Sequence, residues 1–342
     1  MKKKLGIAVA VIFLIAGIAG YSFYSRIYKP NVTESVSILI PTGTDFEGLI
    51  KIIEPYVDNI NSFIWVAEKK NYPNKIRAGK FRIDQGMNND SLVNHLRGGK
   101  QETVTLTFNN QDSFEKLAGR VAAQIEADSI ALLTSFYDKD FMAKNGFDEK
   151  TAIAMYIPNS YDFYWNTNAE QFRDKMLLEY KRFWNESRVS KAKQQNLNPI
   201  QVATLASIVQ KETAVTQERK TVAGLYLNRL HDFWPLQADP TIIFALKQKY
   251  GQDKEYKRVL NKDLNIDSPY NTYLNFGLPP GPIGMPDISS IEAVLNPEQH
   301  QYYYMCASVE KIGYHKFAKT LSQHNINAAA YQKWVSQQGI NR

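Results

Sequence analysis

Apolar residues run without a charge from Leu5 to about Tyr24, behind Lys2, Lys3 and Lys4 and ahead of Arg26 and Lys29. About 20 such residues cross the hydrocarbon of a bilayer, so the run predicts a transmembrane helix over residues 5–25. The lysine cluster places residues 1–4 as a cytoplasmic tail and everything beyond the helix on the far side of the membrane. Ala16, Gly17, Ala19 and Gly20 would also suit a cleaved signal peptide, but the length of the run and its aromatic end, Tyr21, Phe23 and Tyr24, favour an anchor. After the anchor the pattern predicts a strand at Val36 to Ile40 and a helix capped by Thr44, with Phe46, Leu49, Ile52 and Ile53 on one face. A second helical pattern carries Ile60, Ile64, Trp65 and Val66, and a strand follows at Lys80 to Ile83. Asn89 to Gly98 predicts a further helix, and the alternation from Thr103 to Phe108 predicts a strand that opens a new domain.

From about 112 to 197 the chain reads as charged helices, interrupted by an aromatic loop from Tyr156 to Trp165. Val202, Leu205, Ile208 and Val209 then recur at helical spacing behind Asn198-Pro199, a cap followed by a first-turn proline. Proline, glycine and asparagine become dense between 266 and 297, which predicts a long ordered loop. Two strands, Gln301 to Ser308 and Tyr314 to Thr320, meet around Gly313, and a final amphipathic helix follows His324-Asn325 and runs to Gln337. The fold class is therefore α+β: a single N-terminal transmembrane helix, a small domain over 33–102 and a larger mixed α+β domain over 103–342. Strand, helix, helix, strand in the small domain resembles the LysM carbohydrate-binding arrangement. A spacer that holds the rest of the chain off the membrane fits the same pattern.

With 342 residues, 44% of them hydrophobic and 22% charged, the chain has room for two globular domains. Its net charge of +7 suits an anionic surface such as a membrane or an acidic wall polymer. No arginine-rich run or basic and aromatic interleaving argues for nucleic acid. Cys306 is the only cysteine, which excludes an intrachain disulfide and a cysteine-based metal site. The five histidines, His95, His231, His300, His315 and His324, lack the close helical pairings used by zinc enzymes, so no metal is expected.

Chemistry is expected around Glu212. It follows Ile208 by four residues and Val209 by three, and so continues the apolar face of its helix. Poor hydration there would disfavour the carboxylate, and an acid that stays protonated near neutral pH can act as a general acid. Spacing alone leaves open a solvated Glu212 at a fraying helix end, paired with Lys211 or an arginine.

Resemblance narrows this. Lys211-Glu212-Thr213, Glu218-Arg219, Val222-Ala223, Asn228-Arg229-Leu230 and Leu236-Gln237-Ala238-Asp239-Pro240-Thr241 resemble, in order, the signatures of the YceG-like family, the endolytic murein transglycosylases. Asn271-Thr272-Tyr273, the Gly277 to Ile283 segment and Ser322-Gln323-His324-Asn325 continue the likeness. It implies cleavage of the β-1,4 bond between N-acetylmuramic acid and N-acetylglucosamine in nascent strands, with 1,6-anhydro ends as product. It places the catalytic acid and base on Glu212, and it allows Asn228, Gln237, Asp239, Thr241, Asn271 and Tyr273 as substrate-binding residues. Asp239 also reads as a helix cap ahead of Pro240, and Arg219 and Arg229 read mainly as structural. Gln210, Ala238 and Phe244 stand where the family commonly has glutamate, serine or threonine, and tyrosine.

The implied enzyme needs no cofactor. Its implied partners are peptidoglycan glycan strands, the membrane and the peptidoglycan polymerases or transpeptidases, and it faces the extracytoplasmic, periplasmic side of the cytoplasmic membrane. Two rivals remain at this stage. A muramidase-type hydrolase would use Asp239 or Glu218 as its second carboxylate, and a wall-binding scaffold would turn nothing over.

Overall fold

The computed structural model describes residues 2–252, 254–256 and 258–338; Met1 of the expected tail and residues 339–342 of the expected larger domain lie outside the described residues. The chain divides into two compact units. The first comprises Met1–Leu106, Ala122–Ala127 and Tyr161–Asn168, and the second Thr107–Val121, Asp128–Ser160 and Ala169–Arg342.

The first unit opens with α1 (Lys2–Tyr28), long and apolar enough to cross a membrane. Then come β1 (Val36–Ile40), α2 (Phe46–Ile53), α3 (Ile60–Lys69), β2 (Gly79–Ile83) and α4 (Asn89–Gly98). β1 and β2 pair antiparallel with Ile38 opposite Phe81. Their alternate side chains join Leu49, Ile53, Phe63 and Leu92 in a core with no exposure at most positions. The expected cap Thr44 instead donates to the Pro41 carbonyl (2.7 Å), and Asp45 accepts from the Gly48 amide (2.8 Å) as the true cap of α2. A carboxylate one residue later reaches the open amides of the first turn. The end of α1 is tied to this unit: Asn89 Nδ2 donates to the Arg26 carbonyl (2.8 Å), and Phe23 meets Trp65 edge to face (5.1 Å).

β3 (Thr103–Phe108) pairs with β4 (Asn159–Tyr164), so the expected aromatic loop contains a strand. The reason is polar: Thr105 Oγ1 donates to Asp162 (2.9 Å), and the Glu126 amide to the Trp165 carbonyl (2.8 Å). These pairings draw 122–127 and 161–168 into the first unit, outside the expected 33–102 span.

The second unit is largely helical, with α5 (Phe114–Ala122), α6 (Ser129–Phe136), α7 (Lys139–Lys144), α8 (Ala169–Phe183) and α9 (Glu186–Gln194) preceding α10 (Pro199–Glu212) and α11 (Arg219–His231). α12 (Asp239–Tyr250), α13 (Ile288–Leu295), the antiparallel pair β5 (Tyr304–Ala307) and β6 (His315–Ala318), and α14 (Leu321–Gln337) complete it. α13 interrupts the expected loop of 266–297: past Pro286, the Asp287 carboxylate accepts from the Ser290 amide (2.8 Å) and nucleates an apolar helix. His324-Asn325 lies inside α14, which starts after the Thr320 cap.

The sequence pattern underestimates α10. It is buried all round, with Val202 to Val209 between 0% and 2% exposed. Its polar side chains are satisfied inside: Thr204 Oγ1 donates to the Ile200 carbonyl (2.9 Å), and Ser207 Oγ donates to the Thr204 carbonyl (2.7 Å) while accepting from the Ile283 amide (3.0 Å). Gln210 holds the same proline-rich segment from the next turn, donating to the Met285 carbonyl (3.3 Å) and accepting from the Asp287 amide (2.5 Å). A glutamate here would keep the second bond and lose the first. Gly281 allows the segment to close, because a Cβ there would lie 2.1 Å from the Lys150 carbonyl oxygen.

Candidate active site

Glu212 is the last residue of α10, where the helix presents unpaired carbonyls and the negative end of its dipole. Both disfavour a carboxylate. One oxygen, Oε1, accepts from the Tyr226 hydroxyl (2.7 Å), which α11 supplies from its buried face. Burial pushes the Glu212 carboxyl up to about 7; the negative charge of Asp239 adds to this, and the tyrosine hydrogen bond and Arg229 oppose it.

Glu212 lines a cleft of about 250 Å³ together with Tyr226, Arg229, Gln237, Asp239 and Tyr273, closed on another side by Met305, Cys306, Ala307 and His315. The walls come from segments that are distant in sequence and tightly bonded. Thr272 is the hub: its carbonyl accepts from the Gln237 amide (3.0 Å), its Oγ1 accepts from the Ala238 amide (3.0 Å), and the same oxygen meets Thr241 Oγ1 at 2.9 Å. Held this way, Gln237 adopts a left-handed backbone (φ 49°) that an L side chain adopts only at a cost.

Asp239 is the first residue of α12 and not its cap. The Asp239 carboxylate turns to the cleft, where it accepts from the Tyr273 hydroxyl (2.6 Å). Burial and this neighbouring carboxylate hold the Tyr273 phenol well above its usual range.

Four of the expected site residues, Glu212, Gln237, Asp239 and Tyr273, are brought together at the cleft. The other three have their polar groups turned to protein. Asn228 Nδ2 donates to the His300 and Tyr302 carbonyls (3.0 and 3.1 Å), holding the segment that leads into β5. Thr241 is fully buried, and its hydroxyl is occupied by Ala238 and Thr272. Asn271 is fully buried, its amide donating to the Leu264 and Ile266 carbonyls (2.9 and 2.8 Å). These three shape the walls.

Arg219 pairs with Asp287 (2.6 Å), as its structural reading expects. Arg229 is structural as well, donating to the Tyr303 and Leu236 carbonyls (2.8 and 2.6 Å), and its guanidinium also lines the cleft. Glu218 does not line the cleft. It is 7% exposed and accepts from Thr213 Oγ1 (3.1 Å), the His315 amide (2.7 Å) and His315 Nδ1 (3.0 Å). Periodicity gives no sign of Tyr226, Thr272 or His315. The only trace of Thr272 is its place inside Asn271-Thr272-Tyr273.

A carboxylic acid that titrates near neutrality, one oxygen fixed by a phenol, a second carboxylate held by another phenol, and a guanidinium in the same wall make an acid and base site.

A family model described as the YceG-like family matches residues 38–330. The chain is 28% identical over 336 residues to the endolytic murein transglycosylase of Bacillus subtilis strain 168, covering 93% of this chain and 89% of that protein. It is 29% identical to the endolytic murein transglycosylase of Streptococcus pneumoniae strain D39, over 92% of this chain and 62% of the relative, so it spans less than two thirds of that protein's length. Among solved structures, a yceG-like protein from Listeria monocytogenes superposes with a TM-score of 0.55 at 28% identity, over 86% of this chain and 98% of that one.

Proposed function

The chain belongs to the YceG-like family, and on that premise we propose that it is a membrane-anchored endolytic lytic transglycosylase of peptidoglycan. The observation that carries this reading is Glu212 itself, an acid pushed up to about 7 that lines a cleft. The substrate is the β-1,4 bond between N-acetylmuramic acid and N-acetylglucosamine.

Because Tyr226 donates to Oε1, Oε2 is left to carry the proton. That proton passes to the glycosidic oxygen as the bond from it to the anomeric carbon breaks. The resulting oxocarbenium-like state is stabilised by the Asp239 carboxylate, with Tyr273 fixing that carboxylate in place. The muramic acid 6-hydroxyl then attacks the anomeric carbon, its proton goes to the Glu212 carboxylate, and a 1,6-anhydro end forms. No water is consumed and Glu212 regains its starting state. Arg229 stabilises Glu212 during its anionic phase, and the exposed Gln237 amide is placed to bind an acetamido group.

α1 anchors the protein once across the cytoplasmic membrane, with the chain beyond it on the extracytoplasmic side. The βααβ arrangement of the first unit acts as a LysM-like glycan-binding module, and the cleavage terminates strands close to the polymerases and transpeptidases that make them. The test is incubation of the full-length protein in detergent with glycan strands, followed by analysis of ends. Anhydro ends support the reading. Reducing ends would replace it with a hydrolase in which Asp239 activates water, and uncut strands that bind equally well to wild type and Glu212→Gln would leave a scaffold.

A further inference from the structure

α11 ends in a turn whose geometry normally calls for glycine. The Phe233 amide donates to the Leu230 carbonyl (3.3 Å) and the Trp234 amide to the Arg229 carbonyl (2.7 Å), the double bond pattern of a Schellman cap. The residue in the left-handed position of such a cap is usually glycine, yet here it is Phe233 with φ 55°. A bulky side chain in that conformation is a strained outlier, and packing does not compensate for it, because Phe233 is 83% exposed. Unrepaid local strain points toward function.

The neighbours of Phe233 extend the point. Trp234 is 40% exposed, with its ring centroid 5.2 Å from Tyr303 and 5.7 Å from Tyr304. This cluster is tied to the Glu212 cleft through Arg229, whose Nε donates to the Tyr303 carbonyl (2.8 Å). The Arg229 guanidinium lies 5.9 Å from the Tyr304 ring. The rim of the cluster is polar, with the Tyr303 hydroxyl bonded to Asp232.

We propose that Phe233, Trp234 and Tyr303 form a saccharide subsite that continues the Glu212 cleft and takes N-acetylhexosamine rings of the strand beyond the point of cleavage. The inference rests on the transglycosylase reading and adds to it residues that hold the strand beyond the bond cleaved. Flat aromatic faces accept the C–H face of a pyranose ring, and the carboxylate of Asp232 is a hydroxyl acceptor at their edge. That same carboxylate disfavours an anionic lipid surface as the occupant.

The test uses full-length protein in detergent micelles, carrying Glu212→Gln so that strands are not cut, titrated with peptide-free glycan strands and with the disaccharide unit. Trp234→Ala is expected to weaken binding of long strands about tenfold and to leave the disaccharide unaffected. Trp234→Tyr recovers most of that loss. Phe233→Gly is the more discriminating variant, because it weakens long-strand binding while raising Tm through release of the backbone strain, a combination that a purely structural role cannot give. Unchanged affinity for long strands in both variants overturns the proposal, as does a loss that is equal for strand and disaccharide, or a loss of binding to phosphatidylglycerol vesicles in place of glycan. In the Glu212 background, a parent that forms anhydro ends alongside insensitive variants removes the subsite alone. A parent that neither binds nor cuts strands removes the transglycosylase reading with it.

Discussion

Glu212 and Glu218 flank the turn between α10 and α11, both are largely shielded from water, and the structure treats them in opposite ways. Glu218 accepts three hydrogen bonds, from Thr213 and twice from His315, so a carboxylate there is fully supplied with donors. Glu212 receives one, from the neutral Tyr226, at a helix C-terminus and in the field of Asp239. Burial is common to both, and the count and kind of donors separate the two carboxyls. The cleft side of the turn is built at the expense of stability, whereas the Glu218 side supplies it.

The largest expected effect is on turnover. Glu212→Gln keeps the shape and the hydrogen bond to Tyr226 but cannot release a proton, so strand cleavage should fall about a thousandfold. Strand binding by the same variant should stay within about threefold of wild type by direct titration. Substantial cleavage by this variant would move the acid to another residue and dissolve the contrast between the two glutamates. Wild-type activity should also decline as pH rises through about 7, where Glu212 loses its proton, and a rate profile that is flat across that range would count against it as the acid.

The second effect is on stability against pH. The folded state holds the Glu212 proton up to about 7, while the unfolded chain releases it near 4.5. Between those values the native protein binds more protons than the unfolded one, so stability falls as pH rises. Each pKa unit is worth about 1.4 kcal/mol, which makes the full loss about 3 kcal/mol. Denaturant melts at pH 5 and pH 8 should show this decline in wild type and its near disappearance in Glu212→Gln, which therefore should be the more stable protein at pH 8. The opposite sign is expected across the turn. Glu218→Gln replaces an acceptor of three donors with an amide that leaves at least one of them facing a donor, and should lose about 2 kcal/mol in the same melts. If both substitutions destabilise alike, the two sites differ less than their hydrogen bonds suggest.

Much of this was legible in the sequence, and the remainder was hidden for identifiable reasons. The α10 cap at Asn198 and its end at Glu212 follow from local chemistry that a single helix carries with it. Its burial on every side does not, because it depends on the Thr204 and Ser207 hydroxyls bonding to Ile200, Thr204 and the distant Ile283. Asp239 reads as a cap because aspartate before proline is a good helix start, whereas α12 takes it as its first residue and its carboxylate accepts from Tyr273 at the cleft. Asn228, Thr241 and Asn271 are polar residues in recognisable motifs, and motif membership alone does not say whether a polar group faces substrate or wall. The partners that settle it, Thr272 and the carbonyls of His300 and Ile266, come from segments whose proximity no periodicity encodes.

The smallest effect tests whether the cleft side bears strain in its backbone as well as in its charge. Gln237 sits at φ 49° because Thr272 bonds both its own amide and that of Ala238. Gln237→Gly keeps those backbone bonds, which need no side chain, and removes the crowding of Cβ against the following carbonyl. The protein should gain up to about 1 kcal/mol in a denaturant melt, less whatever the freer unfolded glycine takes back. The same variant loses the exposed amide at the cleft, so KM for strands should rise severalfold with kcat nearly unchanged, the mark of lost uniform binding. A gain in stability without a change in KM would assign the left-handed turn to chain geometry alone and leave the charge of Glu212 as the only cost carried on that side of the turn.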